Sequence, residues 1–322
     1  MRLKSIGLAV LAGLALATMA HAQDWPKQRQ ITLVSPYPPG GTNDIVARLF
    51  ADKLAASIGQ SIVVENRAGS AGAVGTKYVA QAAPDGYTLL SSNNGAMIIQ
   101  PLVNQHATYD PLKDFTPVTQ LAGSFLAIGV HKSLPATTVK EFVTALKASP
   151  GKYFYGSSGA GSFGHFNGEF FKATHGLDAT HVPFRGSAAA LTDLIRGEVH
   201  FMMDPLVLSQ VGNDAVRILA VTNPARIASY PDIPTIAESG FPDFILEGWF
   251  GVFGPAGLPK EITDKIAAIA AEFVRDPDVQ KKFETAGIVA SAKSGKDFAD
   301  LIASGKKIFS DIQKSAKIVV NQ

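Results

Sequence analysis

The chain has 322 residues, no cysteine, 46% hydrophobic and 17% charged side chains, and a formal net charge of +2 at pH 7. That composition excludes disulfides, thiolate metal centres and a lipidated cysteine, and its near-even charge argues against a partner as acidic as nucleic acid or a membrane surface. No basic stripe interleaved with aromatics appears anywhere along it.

Residues 1–22 read as an export leader rather than as part of the fold. Arg2 and Lys4 form a basic start, Ile6 to Met19 is apolar, and Ala20-His21-Ala22 offers small residues where a signal peptidase reads, so cleavage is expected between Ala22 and Gln23. Losing this segment leaves 300 residues with 27 basic and 27 acidic side chains, and hence no net charge. That length accommodates two domains. No later segment approaches the roughly 20 continuous apolar residues of a spanning helix. The expected product is a monomer diffusing in a bacterial periplasm.

From there, short β-rich runs alternate with helical patterns, the mark of α/β layers around parallel sheet. Ile31–Tyr37, Ser61–Asn66 and Tyr87–Ser92 read as strands, separated by Ile45, Leu49, Phe50, Leu54 and Ile58 at helical spacing, then by Val74, Tyr78, Val79 and Ala82. A second unit follows, with a strand at Phe125–Val130, a capping box at Thr138–Glu141 opening a helix through Leu146, and a strand at Lys152–Tyr155. A helix through Phe170, strand His181–Pro183, helix Ala188–Ile195 and strands Val199–Met203 and Arg217–Val221 complete it. Pro259–Lys317 is almost wholly helical, with Phe298, Leu301, Ile308 and Ile312 on one face. Gln120–Ala127 and Glu247–Gly254 look like crossings between two lobes. The expected division is 23–123 with 251–322 for the first lobe and 124–250 for the second, with a ligand cleft between them.

Two loops look built to seat an anion. Ser35 to Asp44 joins a strand to a helix through three prolines, Gly40 and Gly41, with Thr42, Asn43 and Asp44 as cap-type side chains at the positive end of the helix; Tyr37 lies in the same turn. Gly156 to His165 repeats the arrangement in the second unit, where Ser157, Ser158, Gly159 and Ser162 offer hydroxyls and free amides and His165 sits in the first helical turn. Ser92 and Asn93 end the third strand at the same expected edge. Arg185, in Phe184-Arg185-Gly186-Ser187, is a candidate clamp for a second carboxylate, and Asp204 a candidate acceptor from a ligand or a closing contact between lobes.

Rival chemistries are poorly served. Gly159, Gly161 and Gly164 fit G-x-G-x-x-G, with Asp178 downstream, but an exported chain has no expected access to a nicotinamide, and no cofactor is expected. G-x-S-x-G fails at Ser158 because position 160 is alanine, and His131, His165, His175, His181 and His200 show no H-x-x-x-H spacing for a metal. A secreted hydrolase would need a nucleophile with a positioned base, and no pair is recognisable.

Taken in order, Pro36 to Arg48, Val64-Glu65-Asn66-Arg67-Ala68-Gly69, Pro84-Asp85-Gly86-Tyr87-Thr88-Leu89, Tyr155 to Gly159, Val182 to Ser187, Asp232-Ile233-Pro234-Thr235 and Gly254 to Pro259 resemble the tripartite tricarboxylate transporter receptors, also called the Bug family. The likeness runs through nearly all of 23–322. It implies a two-lobed Venus-flytrap protein, each lobe a mostly parallel sheet flanked by helices, that closes on an organic acid and delivers it to inner-membrane transporter subunits without a catalytic step. By the resemblance, Tyr37–Asp44 and Ser157–His165 are pincers on one carboxylate. Arg185, where lysine is common, and Phe163 and Phe184 depart from the usual pattern and bear on the ligand. A flat or aromatic body against Phe125, Phe163 or Phe184 is one expectation. A receptor that signals to a sensor kinase is the alternative role.

Overall fold

The computed structural model describes residues 25–244 and 247–318, so the leader and its cleavage position lie outside the described residues. In chain order its strands and longer helices are β1 (Ile31–Ser35), α1 (Thr42–Ile58), β2 (Ile62–Asn66), α2 (Ala73–Ala80), β3 (Thr88–Asn93), β4 (Phe115–Ser124), β5 (Ala127–His131), α3 (Val139–Ala148), β6 (Phe154–Ser157), α4 (Phe163–His175) and β7 (Thr180–Pro183). They continue as α5 (Ser187–Arg196), β8 (Phe201–Met203), β9 (Val216–Val221), β10 (Gly248–Pro255), α6 (Lys260–Phe273), α7 (Pro277–Thr285), β11 (Ile288–Ala290) and α8 (Gly295–Ser315).

The strands form two sheets, ordered β11-β4-β10-β3-β1-β2 and β7-β6-β8-β5-β9. Parallel pairing joins β2-β1-β3 and β7-β6-β8, which are the β-α-β units, and antiparallel strands complete each sheet. Helices cover both faces, so adjacent residues of one strand are both buried and enter opposite cores. Leu33 packs with Phe50, Ile262, Ile266 and Phe273 of α1 and α6, while Val34 faces Met97, Phe298 and Phe309. Each fully buried Phe or Ile there contributes about 1.5–3 kcal/mol relative to exposure.

The expected crossings are the ends of two long strands. β4 stops at Ser124 in the first sheet and β5 starts at Ala127 in the second; β10 re-enters the first sheet antiparallel to β4, with Gly248 opposite Ser124. Leu126 and Thr222 bind each other there, the Leu126 N–H to Thr222 Oγ1 at 2.8 Å and the Thr222 N–H to the Leu126 carbonyl at 2.8 Å. The sheet units also touch elsewhere: Gln100 Nε2 donates to the Ala160 carbonyl at 2.8 Å, and Phe166 of α4 packs edge-on against Phe309 of α8.

Three sequence expectations are corrected. The C-terminal region is not wholly helical, since Ile288–Ala290 is a strand paired with β4. Ile308 is 48% exposed, because the buried face of α8 runs through Phe298, Ile302 and Phe309. The capping box at Thr138 is half made: Thr138 Oγ1 accepts the Glu141 N–H, but the Glu141 carboxylate reaches past it to the Thr137 N–H at 2.7 Å.

Candidate functional site

The first loop delivers its side chains differently from the expected caps. Gly41, extended at φ −84° and ψ 167°, is the N-cap of α1, so Thr42, Asn43 and Asp44 form the first helical turn. Asn43 is bolted inward, with Nδ2 donating to Ser35 Oγ at 2.9 Å and to the Ser91 carbonyl at 3.0 Å. Its Oδ1, and Thr42 Oγ1, are buried without a protein partner. Asp44 turns back from the cavity and braces the loop. It accepts from the Gly40 N–H at 3.0 Å, Asn66 Nδ2 at 2.8 Å and Arg48 Nε at 2.9 Å. Burial acts to raise its pKa, but these donors outweigh burial and hold the carboxyl below its usual range.

The second loop is braced from beneath by two histidines. His165 Nδ1 accepts the Gly161 N–H at 2.9 Å, His181 Nε2 meets Ser157 Oγ at 2.7 Å, and the two rings stack 3.7 Å apart. Burial pushes His165 down to about 4 and His181 to about 3, so both are neutral at pH 7. His165 is therefore not a cation for a ligand. Ser162 Oγ caps α4 by accepting the His165 N–H at 3.3 Å. Gly161 has φ +74°, and a Cβ there would sit 2.5 Å from Gln100 Nε2, so backbone conformation and closeness both require glycine.

Between the sheets lies a cavity of about 400 Å³. Tyr37, Gly41, Thr42, Asn43 and Asn93 line it from the first unit, and Ser158, Phe163, Arg185 and Asp204 from the second. The Tyr37 hydroxyl donates a hydrogen bond to Asn93 Oδ1 at 3.1 Å, and burial raises its pKa far above the ordinary value. Arg185 is exposed at the rim. Asp204 is buried, accepting from Ser187 Oγ at 2.7 Å and the Leu206 N–H at 2.9 Å, and burial pushes it up to about 6.

Of the remaining sequence candidates, Gly40, Asp44, Ser157, Ser162 and His165 support the two loops from outside the cavity lining, and Ser92 lies fully buried in β3. Gly159 lines an adjoining cavity, which shares Tyr37, Ser158 and Arg185 with the first and holds Phe184. Phe125 lies in a separate groove beside Arg226 and Val289.

Several lining residues outside the candidate set belong to the same loops, among them Pro38, Pro39, Gly186 and Ser187, and three others come from the crossings. Ser124, Leu126 and Phe250 line the cavity where the strands pass between sheets. Asn94, just past β3, lines it too, with Oδ1 taking the Trp249 N–H at 3.3 Å and Nδ2 buried without a partner. No local motif marks Phe250; its signal was only its place in a suspected crossing.

A family model, the tripartite tricarboxylate transporter family receptor, matches residues 46–317. The chain belongs to that family. Its receptors are periplasmic solute-binding proteins, and this receptor shares their two-sheet α/β fold. It is 34% identical over 322 residues to the UPF0065 protein of the tcbD-tcbE intergenic region of Pseudomonas sp. strain P51, a match spanning 97% of this chain and 95% of that one. The structure of R. palustris Rpa4515 with adipate superposes with a TM-score of 0.88 at 36% identity, covering 92% of this chain and 99% of that one. MatC (Rpa3494) from Rhodopseudomonas palustris with bound malate gives 0.83 at 28%, covering 89% and 99%.

Proposed function

We propose that this receptor captures an organic carboxylate, a di- or tricarboxylate or an aromatic acid, in the cavity between its sheets and delivers it to inner-membrane subunits of a tripartite tricarboxylate transporter. The observation that carries this is the cavity lining itself, where Tyr37, Asn93 and Ser158 bring neutral polar side chains beside the Arg185 guanidinium. A guanidinium beside neutral donors suits an anion with planar oxygens. Adipate in one relative and malate in another support the ligand class.

In this reading 23–123 with 251–322 and 124–250 are lobes that swing about the Leu126–Thr222 crossing, and binding draws them together. No bond is made or broken in the ligand. The protein acts as a monomer in the periplasm after cleavage between Ala22 and Gln23. Native mass spectrometry of freshly purified protein tests the reading: a co-purified organic acid that leaves on unfolding is expected, and a co-purified neutral or cationic solute instead would contradict it.

A further inference from the structure

Around the cleft, Gly40, Gly159 and Gly161 hold φ +85°, +128° and +74°, backbone that favours glycine. Gly41 is extended, and a Cβ there would sit in ordinary contact, 3.9 Å from Ser187 Cβ. Gly186 differs from all of these. It is the N-cap of α5 at φ 174° and ψ 167°, extended backbone that any residue adopts, and serine, asparagine and aspartate are at least as favourable at that helix position. Space excludes a side chain instead. A Cβ at 186 would lie 3.2 Å from Pro38 Cδ, 3.4 Å from its Cγ and 3.8 Å from its Cβ, and these atoms of one ring are its three nearest neighbours. The first two fall short of the optimal carbon–carbon separation of about 3.5–4.0 Å.

Neither side of this contact yields locally. Pro38 stands between Tyr37 and Pro39 with its own φ fixed by the ring. Its loop is tied to the first unit by Asn66 Nδ2, which donates to the Tyr37 carbonyl at 2.9 Å, and by the Gly40 N–H to Asp44. Gly186 is tied to the second unit, where the Phe184 N–H donates to the Ser157 carbonyl at 3.0 Å and Ser187 Oγ to Asp204 at 2.7 Å. Extra atoms at 186 are therefore accommodated by moving the two units apart, which widens the cavity that Pro38 and Gly186 both line.

Resting on the two-lobed carboxylate reading, we propose that the Gly186–Pro38 contact sets how far the lobes close, so that a side chain at 186 holds the cleft open and weakens ligand binding without unfolding either lobe. The chain has no cysteine, so spin labels at Lys77→Cys and Glu198→Cys, both exposed and one on each lobe, report the separation in the full mature protein. Measured with adipate or malate present, the separation should be longer in Gly186→Val than in the natural sequence, and affinity for whichever acid binds should fall about tenfold, as the fraction of molecules able to close falls. Gly186→Ala should show a smaller change, and Pro38→Ala added to it should restore the shorter separation, because it removes Cδ and Cγ from the opposite lobe. A purely local role at the start of α5 would not be rescued across the cleft. Where Gly186→Val fails to fold, Gly186→Ala with and without Pro38→Ala decides. Unchanged separation in the position-186 variants, or no recovery with Pro38→Ala, overturns the closure assignment and leaves the carboxylate reading standing. A longer separation with calorimetric heat from neither acid overturns the carboxylate reading and leaves the contact as the limit on closure.

Discussion

His165 and His181 stack with ring centroids 3.7 Å apart and planes inclined by 16°, and each holds one strand of the second loop, at Gly161 and Ser157. Glu169 and Lys172 face this pair. Lys172 Nζ and the Tyr155 hydroxyl both donate to Glu169 Oε1, and His165 Nε2 lies 3.9 Å from it. The loop geometry thus depends on two neutral imidazoles.

That dependence gives stability a pH sign. Both rings are lowered from 6.5, to about 4 and about 3, so between those values and 6.5 the unfolded chain binds more protons than the folded one. Stability falls as pH falls through that window. The urea midpoint of the natural protein should drop more between pH 7 and pH 4.5 than that of His181→Gln, and parallel curves would contradict the assignment.

Asp204 has the opposite sign. Burial raises it from 3.8 to about 6, so the folded state binds more protons in that window and loses stability as pH rises through it. Asp204→Asn can keep the contacts to Ser187 and Leu206. Its midpoint relative to the natural protein should be more favourable at pH 8 than at pH 4, whereas a difference independent of pH would rule out a buried charge.

Gly161→Ala combines a left-handed backbone with a Cβ 2.5 Å from Gln100 Nε2. A loss of about 1–3 kcal/mol in chemical denaturation is expected, along with weaker ligand binding as the Gln100–Ala160 contact between sheets is pushed apart. Unchanged stability and affinity would show that the loop has slack.

Arg185 is exposed, so Arg185→Ala should shift stability by no more than about 0.5 kcal/mol. Affinity for an organic acid should weaken about tenfold, the loss of one charge-assisted contact. Calorimetry with full retention of affinity would remove Arg185 from the site.

The first β-α-β unit was legible because its strands are β-branched runs and its helices repeat apolar residues at 3.6-residue spacing. β11 was not, since Ile288-Val289-Ala290 is too short to show a period and forms only by pairing with distant β4. The two candidate anion loops were legible as glycine-rich strand-to-helix turns. Their division of labour was not: Gly41 takes the capping position expected of its neighbours, which frees Thr42 Oγ1, and burial turns His165 from a candidate cation into a neutral brace. Phe250 and Ser124 join the site through strand pairing, which no local motif encodes.

The central claim, capture of a carboxylate in this cavity, is tested most directly by titrating the protein with adipate and malate beside their uncharged diamides. The account predicts saturable one-to-one heat from at least one acid, none from its diamide, and a weaker response in Arg185→Ala. Equal heats from acid and diamide, or heats unaffected by Ser158→Ala and Arg185→Ala together, would contradict it.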